Sequence, residues 1–178
     1  MIETVMPYSA EIETQYLEGK LLPRWKEKYG RTELFHEINP LSKQFPLQCP
    51  PLPSQTYGFG ELFVGIHYLD RGYEVIRHYW YKDETYEPYK IAVALMGSEV
   101  ADYVSNQNKK PHTQPPDLLV YKEGRFFFVE VKKGRDRLQI TQTAFNLRLE
   151  KYLSKACLSK RAACAGEHWI HVVKLRPE

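Results

Sequence analysis

The chain has 178 residues, of which 43% are hydrophobic and 26% charged, a size and balance that fit one soluble globular domain. No run approaches the roughly 18 apolar residues of a membrane span, and residues 1–10 carry an acid, Glu3, rather than a basic region followed by an apolar stretch, so neither a membrane partner nor a Sec signal peptide is expected. The formal net charge is only +3, but residues 132–161 hold nine basic residues against two acids, a net of +7 that leaves −4 on the remainder.

Residues 1–37 are polar and charged, and the spacing of Tyr16, Leu17, Leu21, Leu22 and Trp25 predicts an amphipathic helix, broken or kinked by Pro23. Residues 38–56 contain Pro40, Pro46, Pro50, Pro51 and Pro53 and read as a loop or extended connector. Residues 1–56 are therefore expected to form a helical and proline-rich extension packed on a core spanning 57–178. The core opens with a helix over 61–71, whose apolar side is Leu62, Phe63, Ile66 and Leu69, stopped by Gly72. A strand over 73–81 follows, rich in β-branched and aromatic residues, and then a helix over 88–106. Short apolar strands over 117–121 and 125–132 flank a turn at Lys122, Glu123 and Gly124 and read as a hairpin. A helix over 138–153 carries the stripe Leu138, Gln142, Phe145, Leu149, Tyr152 and Leu153, and a last strand spans 168–175. This order predicts an α/β fold, a mixed sheet flanked by helices.

Cys49, Cys157 and Cys164 form neither a C-x-x-C nor a Cys/His zinc spacing and read as reduced thiols, so a reducing cytoplasm is the expected location. His67, His78, His112, His168 and His171 show no metalloprotease spacing. Tyr79, Trp80 and Tyr81 read as strand aromatics of the core, with stacking on bases the weaker alternative.

The hairpin holds the chemistry. Asp117 follows Pro115-Pro116 at a strand start, and Glu130 and Lys132 sit two apart near the end of an apolar strand. Alternation puts Glu130 and Lys132 on one face, opposite Val129 and Val131, and hairpin pairing brings Asp117 near both. Two carboxylates repel unless a cation lies between them. A hard divalent ion suits such oxygen ligands, Mg2+ commonly using one or two carboxylates, with Mn2+ as a more tolerant substitute. Gln142 interrupts an apolar stripe, so its amide should face the sheet and must find partners there.

The string Pro116-Asp117, followed thirteen residues on by Glu130-Val131-Lys132, resembles the PD-(D/E)XK nuclease superfamily. Within it the VRR-NUC group is most similar, on the Pro-Asp-Leu-Leu-Val-Tyr strand closely followed by Val-Glu-Val-Lys and on the glutamine of the next helix; Pro115 stands where that group often has glycine. The resemblance implies a restriction-endonuclease-like core and a Mg2+-dependent deoxyribonuclease. It implies that Asp117 and Glu130 hold the metal, that Glu61, as the early-helix acid, supports or joins them, that Lys132 orients or activates water, and that Gln142 positions the group. Lys133, Arg135 and Arg137, just past the catalytic strand, are expected to meet DNA phosphates, and Arg148, Lys151 and Lys155 recur at helical spacing to extend that track. The expected function is structure- or end-selective DNA hydrolysis in repair, in phage metabolism or as an antibacterial toxin. A toxin would act in a target-cell cytoplasm and need an immunity protein. The alternative is a catalytically inert nucleic-acid-binding module or a subunit of a larger nuclease complex.

Overall fold

The computed structural model describes residues 1–30, 34, 58–108, 114–158 and 168–178. The proline-rich stretch 38–56, Cys49, Cys164, His112, Lys160 and Arg161 lie outside the described residues, as does the side chain of Cys157.

Five strands form one mixed sheet in the order β1-β5-β4-β3-β2, where β1 is Ile2–Tyr8, β2 Glu74–Arg77, β3 Leu118–Lys122, β4 Arg125–Lys133 and β5 Ile170–Pro177. β2 with β3 and β3 with β4 pair antiparallel; β4 with β5 and β5 with β1 pair parallel. Six helices accompany it: α1 Ala10–Leu17, α2 Leu21–Tyr29, α3 Phe59–Leu69, α4 Glu87–Met96, α5 Ser98–Asn108 and α6 Ile140–Leu158. The fold is α/β, a five-stranded mixed sheet flanked by helices, and this arrangement is compatible with a restriction-endonuclease-like core.

β4 is central because its sequence suits burial on both faces. Phe126 and Phe128 enter a cluster with Tyr89, Met96, Val104, Phe145, Leu149 and Leu153 from α4, α5 and α6. Phe127 and Val129 enter a second cluster with Leu21, Trp25, Phe59, Leu62 and Ile66 from α2 and α3. The β3–β4 turn has Glu123 at φ 53° and Gly124 at φ 75° between the paired Lys122 and Arg125. Two left-handed residues make the tight turn that matches strand twist, and glycine takes one of them without strain.

The structure departs from the sequence reading at four places. β1 lies within residues expected to be helical, and it belongs to the same sheet as the other strands. Its pattern of Ile2, Thr4, Met6 and Tyr8 is too short to announce a strand without its partner, β5. The helical pattern of residues 10–29 breaks at Gly19 (φ 72°), not at Pro23, which sits in the first turn of α2 where no helical N–H is needed. The strand expected over 73–81 stops at Arg77, because His78 turns left-handed at φ 57° and Tyr81 N–H closes the turn on the His78 carbonyl at 3.0 Å. The helix expected over 88–106 is two helices separated by Gly97 at φ 81°.

Candidate active site

β3 and β4 pair Leu118 with Val129, so Asp117, the residue before β3, lies level with Glu130. The contact is direct: Val131 N–H donates to Asp117 Oδ2 at 2.7 Å. Glu130 is 1% exposed, and Lys132 is also buried. Lys132 Nζ meets Glu130 Oε1 at 2.7 Å, and Gln142 Nε2 donates to the same oxygen at 3.0 Å. The first turn of α6 thereby touches β4 through Gln142, whose own Oε1 accepts Gln139 N–H at 3.2 Å. Asp117, Glu130, Lys132 and Gln142 thus converge as the alternation and the apolar stripe implied.

Burial pushes the carboxyls of both Asp117 and Glu130 up. For Asp117 the negative charges of Glu130 and Glu61 add to that push, against the Val131 N–H and Lys132. For Glu130 the charge and hydrogen bond of Lys132 offset part of the burial penalty, and Glu61 raises it further. A buried Glu130 beside a half-buried Asp117 of like charge forms a site where positive charge is favoured.

Glu61 reaches this end of the sheet from α3, on the other face. Arg77 of β2 donates to Glu61 Oε2 through Nε and Nη2, both at 2.8 Å. Gly60 permits the approach: a Cβ there would lie 3.1 Å from Val131 Cγ1 and 3.3 Å from Leu175 Cδ1. Among the described residues no three acidic, histidine or cysteine side chains gather closely enough to hold a metal ion together. Of the expected trio, Asp117 and Glu130 lie level on adjacent strands, while Glu61 is ion-paired to Arg77. A pair is within the demand of a hard cation that keeps most of its water. The donors described above all fall on one oxygen of each acid, Asp117 Oδ2 and Glu130 Oε1, so Asp117 Oδ1 and Glu130 Oε2 are the oxygens that could hold a cation.

The basic residues divide. Lys133, expected to meet DNA phosphates, has its ammonium paired with Glu13 of α1 and 5.1 Å from the Phe59 ring centroid, on the sheet face away from Glu130. The cause is alternation, which turns residue 133 to the side opposite Lys132. Arg135 and Arg137, in the β4–α6 connection, and Arg148, Lys151 and Lys155, along α6, are exposed.

Three residues near the site escaped the sequence reading. Arg77 carried only the weak signal of a lone cation in an apolar strand. Tyr79 reads as core and is fully buried, which removes it from base stacking, yet its hydroxyl donates to the Pro116 carbonyl at 2.9 Å, next to Asp117. Burial first, then Asp117 and Glu130, push that hydroxyl far up, so it stays a donor. Asn146, one turn beyond Gln142 on α6, is buried as well. No family model, curated protein or solved structure matches this chain.

Proposed function

We propose that the chain is a metal-dependent nuclease hydrolysing phosphodiester bonds in DNA. The observation that carries this reading is the pair of half-buried Asp117 and buried Glu130, level on adjacent strands, with Lys132 bonded to one of them. Its likeness to the PD-(D/E)XK string, VRR-NUC group, supplies the reaction class, and exposed Arg135 and Arg137 beside the site suit a polyanionic substrate. A binding module would gain nothing from a buried acid set against a half-buried one of like charge.

The residues divide the work. Asp117 and Glu130 would hold Mg2+ or Mn2+ through the oxygens not engaged by Val131, Lys132 or Gln142. When bound, such an ion supplies charge neutralisation at the phosphate and acidifies water. Lys132 orients the attacking water and stabilises charge developing on the phosphate. Gln142 holds the Glu130 carboxylate in one orientation. Glu61 supports the site through Arg77, adding negative potential without serving as a ligand. Arg135 and Arg137 grip flanking phosphates. Short reach and the lack of base-reading elements among the described residues favour recognition of DNA structure or ends, in repair, in phage metabolism or as a toxin countered by an immunity protein.

One panel tests this. Purified protein is incubated with duplex, nicked, flapped, splayed and single-stranded DNA in Mg2+, Mn2+ or EDTA. Cleavage should require the metal and prefer one structure. Glu130→Ala should lower it by more than the roughly 10–100-fold that outer-shell partners of a metal site cost. Full activity in EDTA, or wild-type cleavage by folded Glu130→Ala, would end this reading; metal-dependent DNA binding without cleavage would favour the inert module.

A further inference from the structure

One buried amide behind the site is unaccounted for. Asn146 is 1% exposed, and neither its Nδ2 nor its Oδ1 has a hydrogen-bond partner among the described residues. An amide brings two donors and two acceptor lone pairs. Leaving it unsatisfied costs about 1–3 kcal/mol, whereas an apolar group of the same shape would cost nothing of the kind. Its buried neighbours along α6 are Phe145, Leu149 and Leu153, among which a leucine would be at home. On packing grounds alone, then, asparagine is the wrong residue at this position.

Its place on α6 supplies a reason. Asn146 follows Gln142 by four residues, so the two side chains stand one turn apart on one helix face. Both are buried, and Gln142 donates to Glu130. Asn146 is therefore the next buried polar group after Gln142 along this helix face. A buried water typically needs two to four polar partners. The Asn146 amide, the second N–H of Gln142 and the Glu130 carboxylate are groups of the right kind, one helical turn apart.

We infer that Asn146 is a positioning residue: it anchors a buried water that hydrogen-bonds to the Gln142–Glu130 pair and fixes the orientation in which Glu130 presents its ligand oxygen. This rests on the nuclease reading for its consequence in activity, but not for the water itself. The water makes Asn146 the deep end of a polar chain running Asn146, water, Gln142, Glu130, Lys132. The chain explains why a costly amide is kept where leucine fits.

Three variants and one structure test it. Asn146→Leu in EDTA should melt near the wild-type temperature, because leucine suits the apolar neighbours and the amide leaves together with the water that satisfied it. In Mg2+ its kcat should fall roughly 10–100-fold, the usual cost of losing an outer-shell partner, with KM for DNA unchanged and the Mg2+ concentration for half-maximal activity raised. Asn146→Ala should lose kcat similarly, and Asn146→Ser, which restores a hydroxyl to hold the water, should recover most of it. This pair decides the matter if the leucine variant does not fold. Equal kcat for Ala and Ser, or variants whose activity falls only in proportion to the folded fraction, would overturn the proposal. A wild-type enzyme inactive on every DNA would instead fault the nuclease reading. A high-resolution crystal structure then decides on its own: a water within about 3 Å of both Asn146 and the Gln142–Glu130 pair is expected, and a dry amide overturns the inference.

Discussion

Asp117 and Glu130 set two like charges side by side, the first half-buried and the second buried, and the consequence should be visible in stability before any reaction is assayed. Both carboxyls are pushed up in the fold, by burial first. A group whose folded pKa is raised adds stability that is complete below its unfolded value, about 4 for an acid, and is lost as pH rises through the folded value. The contribution of this pair to metal-free stability should therefore fall from about pH 4 upward. Asp117→Asn keeps an oxygen for the Val131 N–H and removes one charge. In EDTA at neutral pH it should melt above wild type, each 1 kcal/mol giving roughly 2–4 °C in a chain of this size, and the gap should close on acidification. Melting curves across pH check this; a lower melting temperature at neutral pH would mean that the acids are satisfied by groups other than a cation. Mg2+ should raise the wild-type melting temperature and leave Asp117→Asn largely unmoved, because only the former keeps both ligands. Lys132→Met has the opposite sign. It strips the cation from Glu130 Oε1 and leaves a buried charge less compensated, so metal-free stability at neutral pH should fall. At this scale the site was legible because polar residues in apolar surroundings are conspicuous: Asp117, Glu130, Lys132 and Gln142 each interrupt a hydrophobic pattern. Arg77, Tyr79 and Asn146 were not, since each owes its meaning to a contact with another element.

Elements decide which of the basic residues can reach a substrate. The β4–α6 connection exposes Arg135 and Arg137, while the last residue of β4 turns Lys133 to Glu13. Replacing Arg135 and Arg137 together with alanine should flatten the log–log dependence of DNA affinity on salt by about 1–2, since each phosphate contact contributes near −0.9 on duplex DNA. Binding should weaken alike for all sequences, because phosphates carry no base identity. Lys133→Ala should leave the slope unchanged and instead lower stability through the lost pairing with Glu13. Binding titrations from low to moderate salt separate the two; an unchanged slope for the arginine pair would move the track elsewhere. α3 has its own test. Gly60 lets the helix lie close on Val131 and Leu175, so Gly60→Val should overpack that contact and cost about 1–3 kcal/mol, read by chemical denaturation. The positions of α3, the hairpin and α6 followed from local signals, namely periodicity, the Glu123-Gly124 turn and an apolar stripe. The breaks at Gly19, His78 and Gly97 did not, because whether a left-handed residue ends an element depends on what the next segment can pack against.

The whole molecule is organised by a strand that arrives first in the chain and pairs last in the sheet. β1 covers the outer edge of β5, so every strand between β1 and β2 is paired on both sides. Deleting residues 1–8 should expose the β5 edge and remove Tyr8 from its cluster with Phe59, giving a less stable and aggregation-prone protein. Size-exclusion chromatography and melting of the truncated chain check this, and a monodisperse product with wild-type stability would show that β1 is dispensable. By itself the sequence determined the α/β class, the β3–β4 hairpin, the amphipathic α6 and the cluster of Asp117, Glu130, Lys132 and Gln142. All of these rest on period-2 or period-3.6 patterns, or on pairing between neighbours in the chain, which are short-range physics. Only the tertiary structure decided that β1 pairs with β5, that Arg77 claims Glu61, that Tyr79 holds Pro116, that Lys133 meets Glu13 and that Asn146 lies buried. Each depends on segments far apart in the chain meeting at one place, and no local pattern encodes which distant surface a side chain will meet.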